Sequence, residues 1–266
     1  MTQLHVDTDV TLARGYNEFE VDTHRDLQLT FTANHVNADV FIRIKRAGKI
    51  RLRTFIGEGC EVNLLIWNDM ENKLEIDESH DVLRDAALHL AYGECNKADT
   101  DRKTWVELRQ NGASAYVSSA SLVSTKKSMV MDVVNHAPHT YGHMRNFAIV
   151  QEGGRLYIDA VGKIVKGASH SESHQQSRAM CLGGKQTANI IPELLIDENE
   201  VQASHAMSIG RMDEQQLYYM QTRGLDEKAC ISLLSAGYLM PITEFINNDT
   251  LKEVLHKEME MKLQEL

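Results

Sequence analysis

Thiolates and imidazoles are the groups in this sequence best suited to hold a soft or borderline metal or to pass sulfur, because each donates an electron pair once deprotonated. The 266 residues contain 4 cysteines and 12 histidines, the histidines at about twice the usual frequency for this length. Cys60, Cys95, Cys181 and Cys230 stand far apart without CxxC spacing. They outline neither a zinc ribbon nor a dense disulfide framework, and reduced thiols are expected. Cys181 lies between Met180 and Leu182, the setting of a buried strand thiol. His136, His139 and His143 form HxxHxxxH, and His170 with His174 forms HxxxH. On a helix such spacings gather imidazoles on one face. Pro138, Gly142 and the serines near His170 argue for loops instead, which leaves Cys181, His136 and His139 as weak metal candidates.

Other chemistries fare worse. There is no GxSxG elbow for a serine nucleophile and no GxxxxGK[ST] loop for a nucleotide. Asp213-Glu214 is explained by helix capping and dipole complementarity without a catalytic role. Asp159, Lys163 and Lys166 could line a polysaccharide cleft, but no secretion signal accompanies them. With 28 basic and 38 acidic residues the net charge is −10, which disfavours nucleic acid and anionic membranes as partners. The start, Met1-Thr2-Gln3-Leu4-His5, lacks a basic segment followed by an apolar run, and no stretch of about 18 apolar residues occurs. A soluble, cytoplasmic protein is expected.

The elements that must position these residues divide near Gly210. From Leu27 to about Ile209 apolar residues recur at every second position, the period of strands. Val40, Ile42 and Ile44 form one set; Ile50, Leu52, Thr54 and Ile56 the next; then Val62, Leu64 and Ile66, Leu74 and Ile76, Leu88 and Leu90, Val106 and Leu108. Breaks such as Ala47-Gly48-Lys49, Gly57-Glu58-Gly59 and Asn111-Gly112 separate them. Short strands at a spacing of about 10 residues suggest a sandwich, barrel or solenoid. Aromatic residues at 6 % and only 3 prolines suit the stacked aliphatic coils of a parallel β-helix, although no period is sharp enough to count repeats.

After Gly210 the period changes to that of helices. Asp213 with Gln216 has the form of a capping box, and Gly224 supplies a left-handed terminator. Asp226 caps a second short helix that Gly237 is expected to end, with Pro241 closing the unit. Asp249 or Thr250 caps a third, with Leu251, Leu255, Met259 and Leu266 along one stripe that packs on its own body or in a partner's groove. The chain is thus expected to comprise a β core, residues 1–210, and a helical region, residues 211–266.

The segment from Ala203 to Leu225 resembles the signature of the SufB/SufD family, with His205, Gly210, Asp213-Glu214, Leu217, Tyr219 and Arg223-Gly224 standing where that pattern has them. Upstream, Asn135 to Asn146, Gly162 to Ala168 and His174 to Ala179 are similar to the family's final coils. The family supplies the core of the SUF machinery for iron–sulfur cluster assembly. The resemblance implies a right-handed parallel β-helix followed by a small C-terminal α-helical region, in a compact member without room for the extra N-terminal helical domain of larger ones.

It also implies partners. Residues 213–245 would dock a SufC-like ABC ATPase, with Asp213, Leu217, Tyr218, Tyr219, Arg223, Gly224, Leu225 and Tyr238 as contact candidates, and the nucleotide would belong to that partner. The core would pair with a SufB/SufD-like subunit or with itself. His205 matches the histidine that helps hold a nascent iron–sulfur cluster, transient and shared across the dimer interface. The thiol of SufB-like members, counted back from Pro192, falls near Ser177, so it is missing and the chain reads as SufD-like, with Cys181 an uncertain substitute. The implied role is a non-catalytic scaffold subunit. The alternative is a structural or binding solenoid that docks the ATPase without assembling clusters.

Overall fold

Alternation of apolar and polar residues sends successive strand side chains to opposite faces. In the computed structural model, which describes residues 1–266, it resolves into seventeen strands. These are β1 (Thr2–Leu4), β2 (Thr8–Thr11), β3 (Gly15–Asp22), β4 (Leu27–Ala33), β5 (Ala38–Arg46), β6 (Lys49–Ile56), β7 (Glu61–Asn68), β8 (Leu74–Val82) and β9 (Ala87–Glu94). They continue as β10 (Thr100–Leu108), β11 (Ser114–Val123), β12 (Lys126–Asn135), β13 (Tyr141–Val150), β14 (Arg155–Ile164), β15 (Glu172–Cys181), β16 (Thr187–Ile196) and β17 (Gln202–Arg211). Odd strands form one nine-stranded sheet and even strands an eight-stranded one, each in chain order. Every pairing is parallel. Each coil therefore contributes one strand to each sheet, and the chain is a parallel β-helix.

The absence of a sharp repeat has a geometric cause. Phe19 lies opposite Ile42, 23 residues on, whereas Asn146 lies opposite Ser177, 31 residues on. The coils lengthen along the chain, so self-similarity at a fixed period is lost. The register itself is strict. Val62, Leu88 and Ala115 stack in one inward column, and Leu64, Leu90, Val117 and Met144 in the next. These residues are buried and belong to one core between the sheets.

Four charged side chains also face that core. Glu78 and Arg102 sit on adjacent even strands and Lys127 on the next, while Glu94 faces them from the odd sheet, and all four are fully or almost fully buried. Arg102 donates to the Glu78 carboxylate through Nη1 and to Glu94 Oε1 through Nη2 at 2.8 Å. Glu94 Oε2 also accepts from Asn68 Nδ2 at 2.7 Å and Thr100 Oγ1 at 2.8 Å, and Lys127 Nζ lies 3.5 Å away. Tyr92 donates to Glu78 Oε2 at 3.1 Å and lies with its ring 3.9 Å from the Arg102 guanidinium carbon. Two carboxylates thus meet two cations, and the network ties one sheet to the other. Burial alone would raise the Glu94 carboxyl, but Lys127 and Arg102 outweigh it and hold the group below its ordinary 4.5.

Coil corners explain part of the histidine excess. His35, Gly59, Asp85, Gly112, His139 and His170 all have positive φ, a conformation that histidine and aspartate tolerate better than most residues. Corner amides pass their bonds up the stack, as from His139 N to Ser169 O at 3.0 Å and from Asp85 N to Asn111 O at 3.1 Å.

The C-terminal segment forms α1 (Glu214–Thr222), α2 (Glu227–Leu239), a 3-10 turn (Met240–Phe245) and α3 (Asp249–Leu263). Asp213 and Asp226 cap the first two as expected. Gly237, expected as a terminator, lies inside α2, which runs on to Leu239, and Pro241 starts the 3-10 turn. The cap of α3 is Asn248, whose side chain accepts from Leu251 N at 3.0 Å, not Asp249 or Thr250. Leu251, Leu255, Met259 and Leu263 form its buried stripe, with Leu263 in the place expected of Leu266. With Leu239, Ile242 and Ile246 they cover Phe41, Leu65, Trp67, Ala91, Leu122 and Ile149 on the outer face of the odd sheet. The tail therefore packs on its own body.

Replacing Arg102 by methionine leaves Glu78 and Glu94 buried with Lys127 as the remaining cation. We expect a loss of about 3–5 kcal/mol in denaturant unfolding. Because Glu94 titrates below its unfolded value, its contribution is complete above about pH 4.5 and is lost as pH falls through the folded pKa. Acid unfolding curves of Glu94→Gln should accordingly be flatter than those of the parent.

Candidate functional site at the open end of the solenoid

Every internal strand has a neighbour on each side, but β16 and β17 have only β14 and β15. The chain leaves β17 as α1 and adds no further rung. All ten residues of β17 are exposed. By register, Ala203, His205, Met207 and Ile209 continue the inward columns of Ser173, Gln175, Ser177 and Ala179. On the facing strand Ile190, Pro192 and Leu194 continue those of Ile158, Ala160 and Gly162. The end of the solenoid is thus an uncapped interior, apolar apart from His205.

The rung below His205 is polar. Gln175, directly opposite it, donates through Nε2 to Glu193 O at 2.7 Å, while its Oε1 is buried without a partner. An acceptor is therefore left free beneath the imidazole. Ser177 lies opposite Met207, and its Oγ accepts from Asn146 Nδ2 at 3.3 Å. Where the resemblance places a thiol, a buried hydroxyl stands. Around Ser173 and Gln175 space is tight, since a Cβ on Gly162 would lie 2.2 Å from Ser173 Oγ and 3.0 Å from Gln175 Nε2.

The remaining thiol and imidazole candidates lie apart from this point. Cys181 shares the inward face but pairs with Arg211, six residues from His205 and hence about 20 Å along the strand. His136 bonds the Glu107 carboxylate through Nε2, and His139 stacks on His170 with ring centroids 5.1 Å apart. No three histidine, cysteine, aspartate or glutamate side chains converge on a point that could hold a metal ion.

Beside the open end, α1 buries none of its residues. Tyr218 is 70 % exposed and Tyr219 59 %, so two aromatic rings stand in water on a helix the solenoid does not need. Arg223 Nη2 donates to Tyr219 Oη at 3.1 Å and fixes that ring. Gly224, at φ +92°, turns the chain into α2, with Leu217 and Leu225 half-buried. Tyr238 differs from this group, because its ring lies edge-on to Phe147 at 6.3 Å and under Arg178 at 5.9 Å. No helix of the chain is long and apolar enough to cross a membrane.

A family profile described as SUF system FeS cluster assembly, SufBD core domain, matches residues 17–238. The chain belongs to the SufBD family. Among curated SufBD relatives it is 28 % identical over 184 residues to the iron-sulfur cluster assembly protein SufD of Bacillus subtilis, covering 68 % of this chain and 42 % of that protein. It is 22 % identical over 147 residues to SufD of Escherichia coli, covering 54 % and 35 %. A SufBD family protein of Staphylococcus aureus matches at 22 % over 137 residues, covering 50 % and 30 %. The matches thus span well under half the length of these relatives.

Charged residues at inward positions were missed by the sequence reading, although the parity that places Leu74 and Ile76 inward extends to Glu78. Gly162→Ala should cost about 1–3 kcal/mol by overpacking against Ser173 and Gln175, seen as a lower Tm, while Gly210→Ala, where nothing lies within 4 Å of the added carbon, should leave Tm unchanged.

Proposed function

We propose that this chain is a non-catalytic scaffold subunit of a SUF-type complex, pairing through the open end of its β-helix with a SufB/SufD-like subunit or a second copy. The observation that carries the reading is the pair of unfinished sheet edges at β16 and β17 with His205 on the uncovered inner face. Unpaired strand edges associate readily, and two sheets ending together offer two sets of main-chain donors and acceptors at once. The cluster is the cargo at this joint. His205 would supply one ligand, and because Cys181 lies far along the strand the partner would supply thiolate.

An ABC ATPase of the SufC type would dock on α1, where Leu217, Tyr218, Tyr219 and Leu225 offer apolar contact and Asp213, Arg223 and Gly224 set the helix ends. Aromatic rings and arginine are the side chains that most often carry binding energy. ATP-driven movement of that partner would reach the β-helix through α1 and α2. The nucleotide chemistry belongs to the ATPase.

Leu217→Asp and Tyr219→Asp should weaken co-purification with the ATPase at least about tenfold while Tm stays within a few degrees, since neither residue is buried. An unchanged complex would remove the docking assignment. Anaerobic reconstitution of the paired complex with iron and sulfide should give visible absorption that His205→Ala diminishes. Colour that is insensitive to His205→Ala, or its absence with the ATPase still bound, would favour a scaffold that docks the ATPase without assembling clusters.

A further inference from the structure

Most aromatic rings on the outer face of the odd sheet are matched with a cation of the same chain. Arg43 lies over Phe41 at 5.6 Å, Arg145 over Phe147 at 5.4 Å, Arg178 over Tyr238 at 5.9 Å and Lys262 over Trp67 at 6.0 Å. One group of rings on this face has no such partner. The coil stacks His89 of β9, Tyr116 of β11, His143 of β13 and His174 of β15 in a single column, each directly opposite the next. Tyr141 stands beside it, two residues before His143 on β13.

These rings touch one another in series. Centroids are 5.0 Å apart from His89 to Tyr116, 5.2 Å from Tyr116 to Tyr141 and 5.7 Å from Tyr141 to His174. Four rungs at a spacing of about 4.8 Å make a stripe about 14 Å long. The helical tail covers later positions of the same strands, Ala91, Leu122 and Ile149 among them, and leaves the stripe open. Tyr116 is 37 % exposed, and the other four rings are half-buried.

The charge along the stripe has one sign. Asp39 continues the His89 column on β5, while Glu61 on β7 and Glu172 on β15 belong to the column of Tyr141. Neither column holds a lysine or arginine, and no ion pair joins one to these three carboxylates. Glu172 meets His174 Nε2 at 3.0 Å through Oε2; its Oε1 makes no bond, and its side chain is 37 % exposed. Burial holds His89 and His143 below their ordinary 6.5, so both are neutral near pH 7 and offset none of this charge. Arg145, two residues along β13 from His143, is turned onto Phe147.

We propose that this stripe docks an arginine-bearing segment of a partner protein, with a guanidinium laid on the Tyr141 ring and bonded to the Glu172 carboxylate. Tyr141 and Glu172 are directly opposite on neighbouring strands, close enough for one planar group to use both. A guanidinium can stack on a ring while its edge donates to a carboxylate, which the compact ammonium of lysine cannot do. The net charge of −10 draws a cationic segment towards the chain, and the rings then select arginine. The stripe lies outside the sheet whereas His205 lies on its inner face, so the inference does not depend on the pairing proposed above.

The test follows a fluorescent peptide of four arginines alternating with glycine by anisotropy, against the full chain. Salt at about 0.15 M shortens the reach of the net charge to about 8 Å. The peptide should bind saturably and at least about threefold tighter than its lysine counterpart. Tyr141→Leu, which keeps the bulk and removes the ring, and Glu172→Gln should each weaken binding about fivefold. Trp105→Ala and Asp159→Asn on the even sheet should bind as the parent does. Circular dichroism confirms folding; should Tyr141→Leu unfold, Tyr116→Leu serves in its place. The proposal is overturned by no binding, by equal affinity for the lysine peptide, by Tyr141→Leu and Glu172→Gln binding like the parent, or by an equal loss in the even-sheet variants. A dimer in sedimentation that Tyr141→Leu dissolves would overturn it too, by giving the stripe to a second copy of this chain.

Discussion

Parallel pairing of each coil with the coil before it is the interaction on which the rest of this structure depends. Main-chain donors and acceptors of one rung are satisfied only by the rungs above and below. Side chains then have no freedom of register, because a slip of one residue would turn every inward group outward. The unit of the core is therefore a column rather than a pair. Leu64, Leu90, Val117 and Met144 form such a column, which turns polar at Gln175 and ends in His205. An inward charge can survive only where neighbouring rungs supply its counterpart, and Glu78, Arg102, Lys127 and Glu94 meet that condition across adjacent rungs of both sheets. Such networks add little net stability compared with an apolar core, but removing one member leaves the others uncompensated.

Much of this was legible in the sequence, for a physical reason. Alternation survives in Val40, Ile42, Ile44 and their successors because those positions are buried on one side and wet on the other. Coil count was not legible, since the step between stacked residues grows from 23 at Phe19 to 31 at Asn146. The histidine pairs were hidden for the same reason, because His143 and His174 become neighbours only when the local coil length is known. The corner histidines 35, 139 and 170 follow a rule of backbone conformation, not of chemistry. At the site, motif and parity together place His205 on the inner face of the last strand. Its separation from Cys181 depends on where β15 ends. Gly237 misled because an exposed glycine within a helix costs only about 1 kcal/mol, which the packing of α2 readily offsets.

The helical tail divides its work in a way that bears on function. α2, the 3-10 turn and α3 spend their apolar residues on the odd sheet, around Trp67, whose ring lies so close to Gly93 that a Cβ there would come within 2.2 Å. Arg43 of β5 adds an ion pair to Glu258 of α3 at 3.1 Å. α1 spends nothing, with no residue buried. A nine-residue helix is too short to be stable by its own hydrogen bonds, so its order rests on the Asp213 cap and its attachment to α2. α1 is thus held at its two ends, while Tyr218 and Tyr219 stand exposed along it.

The two ends of the β-helix are unlike. At the first rung β1 and β2 are 3 and 4 residues long, and Leu4 and Leu12 are buried there. Short edge strands are a common way of discouraging further pairing. At the last rung both strands are ten residues long, and Met207 and Ile209 remain 47 % and 40 % exposed. Continuing the stack there would bury Met207, Ile209 and His205 in one step, because all three occupy inward columns. An imidazole in that position would lose water and keep Gln175 as its polar neighbour in the rung below. Closing the two sheet edges would therefore cover His205 and its apolar neighbours together.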